Sequence, residues 1–132
     1  MKNNASILVE IPAGELIDKI TILEIKAERI HDDAKLVNIR AELTTLAQTR
    51  DQAMKASPEL AALTAKLKSV NEALWVIEDD IRDCERAKDF GSRFIELARA
   101  VYITNDERAN LKREINLLMG SRLIEEKSYA PY

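Results

Sequence analysis

Apolar residues along this chain recur at alternating steps of three and four, the period of helices that pack against other helices. The longest run is Leu60, Leu63, Leu67, Val70, Leu74, Ile77, Ile81 and Cys84, one seam along a single long helix. Ser57-Pro58-Glu59 supplies a cap residue, a proline at the first helical position and an acid in the first turn, so a helix is predicted over 58–89. A second seam, Leu16, Ile20, Leu23, Ala27 and Ile30, predicts a helix over 14–30 behind the breaker Pro12-Ala13-Gly14. Its acidic Glu15 and Asp18 suit the positive end of the helix dipole. The register then jumps to Leu36, Ile39, Leu43 and Leu46, so the chain breaks at His31-Asp32-Asp33, and either aspartate can cap a helix over 33–55. Phe94, Leu97, Val101, Leu111, Ile115 and Leu118 form a fourth seam over 92–119, ending at Gly120.

Two alternatives stay open along these seams. Asp89-Phe90-Gly91-Ser92 reads as a turn that makes 58–119 a hairpin, yet the old register also continues through Gly91 onto Ile95, Ala98 and Tyr102. An unbroken helix costs only about 1 kcal/mol at the glycine. Thr104-Asn105-Asp106-Glu107 has the capping-box pattern, and a kink or restart is expected at Asn105. Ile7, Val9 and Ile11 alternate with Leu8 and Glu10, predicting a short strand in the arm 1–13, while the tail 121–132 loses helical periodicity after its first residues. The predicted fold is therefore all-α: a single domain with an arm (1–13), an antiparallel helical bundle with coiled-coil-like seams (14–120) and an irregular tail (121–132).

Composition narrows the partners more than the chemistry. The chain of 132 residues suits one domain with a real core. Its 20 basic and 23 acidic residues are mixed throughout and sum to −3, which leaves no basic field for nucleic acid. No stretch approaches membrane-spanning length and no signal-type cleavage site follows the start, so a cytoplasmic protein without a membrane partner is expected. Cys84 is the only cysteine, placed on a seam as a small buried hydrophobe, and rules out an intrachain disulfide. His31 is the only histidine and sits at a predicted helix end. With no second histidine there is no support for a zinc site or a triad, and no cofactor or metal is expected.

Three places break the bundle pattern. Helix one carries Ile17, Ile22 and Ile25 outside its seam, so it is either a central helix covered by arm and tail or the interface of a homodimer. In helix four, Thr104 and Arg108 stand where the seam calls for apolar residues, with Arg99, Asn105, Lys112 and Asn116 on neighbouring faces. A buried arginine needs a carboxylate. The expected source is helix three, through Glu78, Asp79, Asp80 or Asp83, in a polar layer that fixes register or, alternatively, a small-anion site. That acidic run, interleaved with Arg82 and Arg86, reads as a solvated helix face rather than a magnesium site. Trp75, beside the seam, is assigned to core or interface.

The strings Gly14-Glu15-Leu16-Ile17-Asp18-Lys19-Ile20-Thr21-Ile22-Leu23, Leu74-Trp75-Val76-Ile77-Glu78-Asp79-Asp80-Ile81-Arg82, Phe94-Ile95-Glu96-Leu97-Ala98-Arg99-Ala100-Val101-Tyr102 and Glu125-Glu126-Lys127-Ser128-Tyr129 resemble a family of small uncharacterised bacterial proteins over nearly the whole chain. That resemblance implies no catalytic residue. Ile17-Asp18-Lys19-Ile20 with Glu28-Arg29-Ile30 is also similar to the first helix of the all-helical chorismate mutases, which hold a dianion between helices with arginines and lysines. No later lysine and Arg-Glu counterpart follows, since Arg40 precedes Ala41-Glu42 and Arg50 precedes Asp51. Two function classes are carried forward: a helical interaction module that assembles through helix one, and a small-anion-binding enzyme using the helix-four cations.

Overall fold

The computed structural model describes residues 5–132. Four helices account for the ordered secondary structure: α1 (Ala13–Arg29), α2 (Asp33–Ala53), α3 (Pro58–Arg86) and α4 (Ser92–Met119). Local signals set their ends. The Asp32 carboxylate accepts the Lys35 amide at 3.1 Å to cap α2, and the Ser57 hydroxyl accepts the Leu60 amide at 3.1 Å to cap α3 behind Pro58. Gly120 closes α4 in the left-handed conformation, φ 64°.

The hairpin reading of 58–119 holds. After α3, Lys88 takes φ 54°, its amide bonds the Glu85 carbonyl at 3.1 Å, and the Asp89 amide bonds the Cys84 carbonyl at 2.9 Å. This is the Schellman arrangement with a lysine where glycine is usual, and it stops the helix before Gly91. Phe90 and Phe94 then meet edge to face with ring centroids 5.2 Å apart.

α1 is the central element, packing on α2 along one side and on both α3 and α4 along another, while α2 packs on no other helix. Leu23 faces Leu36 and Ile39 of α2 in one buried cluster, and Ile17 joins Leu60, Leu67 and Ile115 of the hairpin in a second. Burial on two sides explains why α1 is apolar on more than one face. Ile17 and Ile25 are each 1% exposed inside the chain, so they offer no surface to a second subunit, and only Ile22 stays half-buried.

Three expectations need correction. The capping-box pattern at Thr104 to Glu107 does not restart the chain, and α4 is one helix from Ser92 to Met119. Its interior carbonyls already satisfy those amides, so no cap is needed. No strand forms among the described arm residues: Ile7, Leu8 and Val9 stand exposed, with no neighbouring strand to complete a ladder. The first four arm residues lie outside the described residues. Cover for α1 comes from α2 and the hairpin rather than from arm and tail.

Candidate functional site

A polar centre lies where α1 crosses the hairpin. Asp18 and Thr21 are 1% and 0% exposed. The Asp18 carboxylate is gripped at both oxygens by Arg108 of α4, Nε donating to Oδ1 at 2.9 Å and Nη2 to Oδ2 at 2.5 Å. Asn71 of α3 donates Nδ2 to the same Oδ1 at 2.9 Å and to Thr21 Oγ1 at 3.0 Å, and the Thr21 hydroxyl donates to the Asp18 carbonyl at 2.8 Å. Three helices are thus tied through one carboxylate. With both oxygens engaged, Asp18 serves as the anchor between these helices.

One turn further along α4, buried Lys112 pairs with Glu15 of α1 at 2.8 Å and Glu125 of the tail at 2.9 Å. Burial pulls the Lys112 ammonium toward a lower pKa, but the hydrogen bonds to Glu15 and Glu125 and the negative charges of Glu15 and Asp18 together outweigh it and hold the pKa above the usual lysine value. For Arg108 the hydrogen bond to Asp18 likewise exceeds the desolvation that opposes it, and the pKa rises. Each cation is therefore locked in its charged form.

The start of α1 is completed from the far end of the chain. Pro12 at its N-cap has no side-chain acceptor, and the first amides find partners on and just after α4: Ala13 N–H donates to Ser121 Oγ at 3.0 Å and Gly14 N–H to Asn116 Oδ1 at 2.6 Å. Gly14 is required by contact rather than by φ. A Cβ there would stand 2.3 Å from the Lys112 carbonyl oxygen, a backbone atom with no room to move. The Nδ2 of Asn116 is buried without a hydrogen-bond partner among the described residues.

The tail runs back along α4 on side-chain contacts. Arg113 pairs with Glu126 at 2.5 Å, Lys127 with Asp106 at 2.8 Å, and the Tyr132 ring meets Tyr102 at 5.1 Å between centroids. Arg122 pairs with Glu10 of the arm, so tail and arm do meet. Hydrogen bonds from Lys127 and then Tyr132 lower the Asp106 pKa below its ordinary value, and the same bond to Asp106 raises that of Tyr132.

Two grooves flank Arg108, and Asn105 and Arg108 line both. One, of about 550 Å³, lies between α4 and the tail against Lys112, Glu125 and Tyr129. The other, of about 490 Å³, is walled by all three helices around Trp75.

Of the residues singled out from sequence, Arg108 and Lys112 meet in the centre, Asn105 lies half-buried beside it, and Thr104 is half-buried on α4 without joining the network. Arg99 is exposed elsewhere on α4. The helix-three carboxylates are not the partners of Arg108, because the antiparallel hairpin brings Arg108 level with Asn71 and leaves the acidic run further along α3. Glu78 and Asp83 instead pair with Arg82 and Arg86 on their own helix, Asp80 lies 3.9 Å from Arg93, and Asp79 lines the Trp75 groove. No group of metal-type ligands converges among the described residues.

Sequence reasoning missed Asp18, Asn71 and Glu125. Asp18 carried a usable signal: a helix apolar on two sides is central, and Asp18 falls on the second apolar face, between Ile25 and Ile22 around the helix, where a carboxylate has to be paired. Asn71 sits one step from Val70 in the long seam, and Glu125 lies in a segment without periodicity, so neither had one.

These features define an all-helical bundle whose central helix is clamped to a long hairpin by a buried ionic layer. A family model matches residues 7–131, and the chain belongs to that family, described as a family of unknown function (DUF6165). No curated protein and no solved structure matches the chain.

Proposed function

We propose that this protein is a helical assembly module that pairs with a second copy of itself through the outer half of the α3–α4 hairpin. The observation that carries the reading is a mismatch of lengths. At about 1.5 Å per residue, α3 is about 43 Å long and α1 only about 25 Å. The polar contacts of α1 reach α3 between Lys68 and Glu72 and α4 between Arg108 and Asn116. Past them the seam continues through Ile77, Ile81, Phe94, Leu97 and Val101, all only half-buried, and a buried Cys84, with Val76, Phe90 and Ile95 exposed at 45%, 51% and 55%. Two helices alone leave most of such a seam open. Two hairpins related by a two-fold axis can, as a four-helix arrangement in which each covers the other.

The sequence-based interface at Ile17, Ile22 and Ile25 is thereby moved to the hairpin, with Ile22 at its edge. A small-anion enzyme of chorismate-mutase type draws less support, because Arg108 and Lys112 are already matched by Asp18, Glu15 and Glu125. Light scattering is the test. Wild type should scatter as twice the 14.9 kDa chain, and Val76→Glu/Ile95→Glu, altering side chains already at the surface, should stay helical and scatter as one chain. A wild-type monomer at several hundred micromolar sinks the reading.

A further inference from the structure

All three tyrosines of the chain line one groove where the tail runs along α4. The groove holds about 580 Å³, within the range of small-molecule sites, and Asp106, Glu125 and Glu126 share its walls with Tyr102, Tyr129 and Tyr132. The rings of Tyr102 and Tyr132 meet at 66° and make a corner rather than a stack, and Tyr102, Tyr129 and Tyr132 stay open to solvent at 41%, 79% and 77%. This surface already holds an ammonium of the chain's own. Lys127 Nζ donates to Asp106 at 2.8 Å and stands 5.1 Å from the centroid of the Tyr129 ring, the combination of carboxylate and aromatic face that suits a cation.

Charge then sets the sign of an occupant. Lys127 and Arg113 are the groove's own cations among the described residues, and they are matched by Asp106 and Glu126. Glu125 has no cation to itself. It shares the Lys112 ammonium with Glu15, so one negative charge stays uncompensated at the groove wall, beside tyrosine rings whose faces are themselves negative. We infer that this groove binds a small organic monocation, an amine or quaternary ammonium with an apolar body. Glu125 and the tyrosine faces hold the charge, while the body lies against Ala109, Ala130 and Pro131.

Choline and its uncharged isostere 3,3-dimethylbutanol separate charge from apolar contact, as do benzylamine and benzyl alcohol. At matched ionic strength, choline and benzylamine should shift the amide resonances of Ala109, Asn110 and Ala130 of the full chain saturably, with half-saturation at about 1 mM for ligands so small. The two alcohols, benzoate and magnesium chloride should not. Glu15 lies outside the groove lining, yet Glu15→Gln leaves Lys112 to Glu125 alone and removes the uncompensated charge. It should weaken choline about fivefold, what one exposed charge pair contributes, while the resonances of residues 127–132 stay those of the docked tail. The inference is overturned if the cations leave these amides unmoved, if the alcohols shift them equally, or if Glu15→Gln with its tail docked binds as wild type does. Should that variant lose its docked tail, the wild-type comparison of choline with its isostere decides alone.

Discussion

The two halves of the α3–α4 hairpin share one sequence period and one partner helix, yet they are held in different ways. The half around Leu67, Asn71, Arg108 and Ile115 has α1 pressed against it and is closed by a buried ion pair, with Leu67 and Ile115 at 0% exposure. The half around Ile81 and Leu97 has only the other helix of the hairpin, and apart from the buried Cys84 its seam residues stay half-open. A heptad-like seam therefore specifies that two helices meet, while the third surface decides whether the meeting is dry. Polar residues mark the difference, because a charge is placed where a third helix can satisfy it.

The sharpest way to break the comparison is Arg108→Ala. Removing the guanidinium leaves Asp18, 1% exposed, as a buried carboxylate keeping only Asn71 at its oxygens, and stability should fall by about 3 kcal/mol or more in thermal unfolding. Asp18→Asn keeps the shape and strands Arg108 instead, whose side chain is 30% exposed and can reach water, so its cost should be smaller, about 1–2 kcal/mol. Equal losses would mean that the pair is not the clamp described.

A second pair of variants measures dryness. Leu67→Ala empties a fully buried position and should cost about 3 kcal/mol, whereas Ile81→Ala in the outer half should cost about 1 kcal/mol in dilute monomer. The two values should converge as protein concentration rises if the hairpins pair, because Ile81 then becomes buried too. Denaturant midpoints at two protein concentrations give both numbers.

Lys88→Gly tests the hairpin turn itself. A lysine at φ 54° bears the left-handed penalty that glycine avoids, so the substitution should stabilise the chain by about 1 kcal/mol. Acid should have the smallest effect and a local one. The folded pKa of Asp106 is lowered, so its contribution to holding the tail is complete above the ordinary aspartate range and is lost as pH falls through the folded value. Amide spectra should show residues 127–132 leaving α4 below about pH 4, while the helices keep their protection.

Most of the fold was legible because helices announce themselves by period and by caps: Asp32, Ser57, Pro58 and Gly120 all act where the sequence places them. The capping box at Thr104 misled because capping is a competition, and an uninterrupted helix supplies the same acceptors. Arg108 was identifiable as a buried cation, but its partner was not. Choosing among five or more carboxylates required knowing that α1 and not α3 faces it, and that depends on how helices 90 residues apart in sequence cross.

The order of synthesis adds a consequence for the first helix. The amides of Ala13 and Gly14 find their acceptors 108 and 102 residues downstream, at Ser121 and Asn116. On a ribosome adding about 5–20 residues per second, α1 therefore emerges several seconds before its cap exists. Until then its first amides have no acceptor and Asp18 lacks its arginine. Before α4 arrives with Asn116, Lys112 and Arg108 together, α1 has only α2 and α3 to pack on.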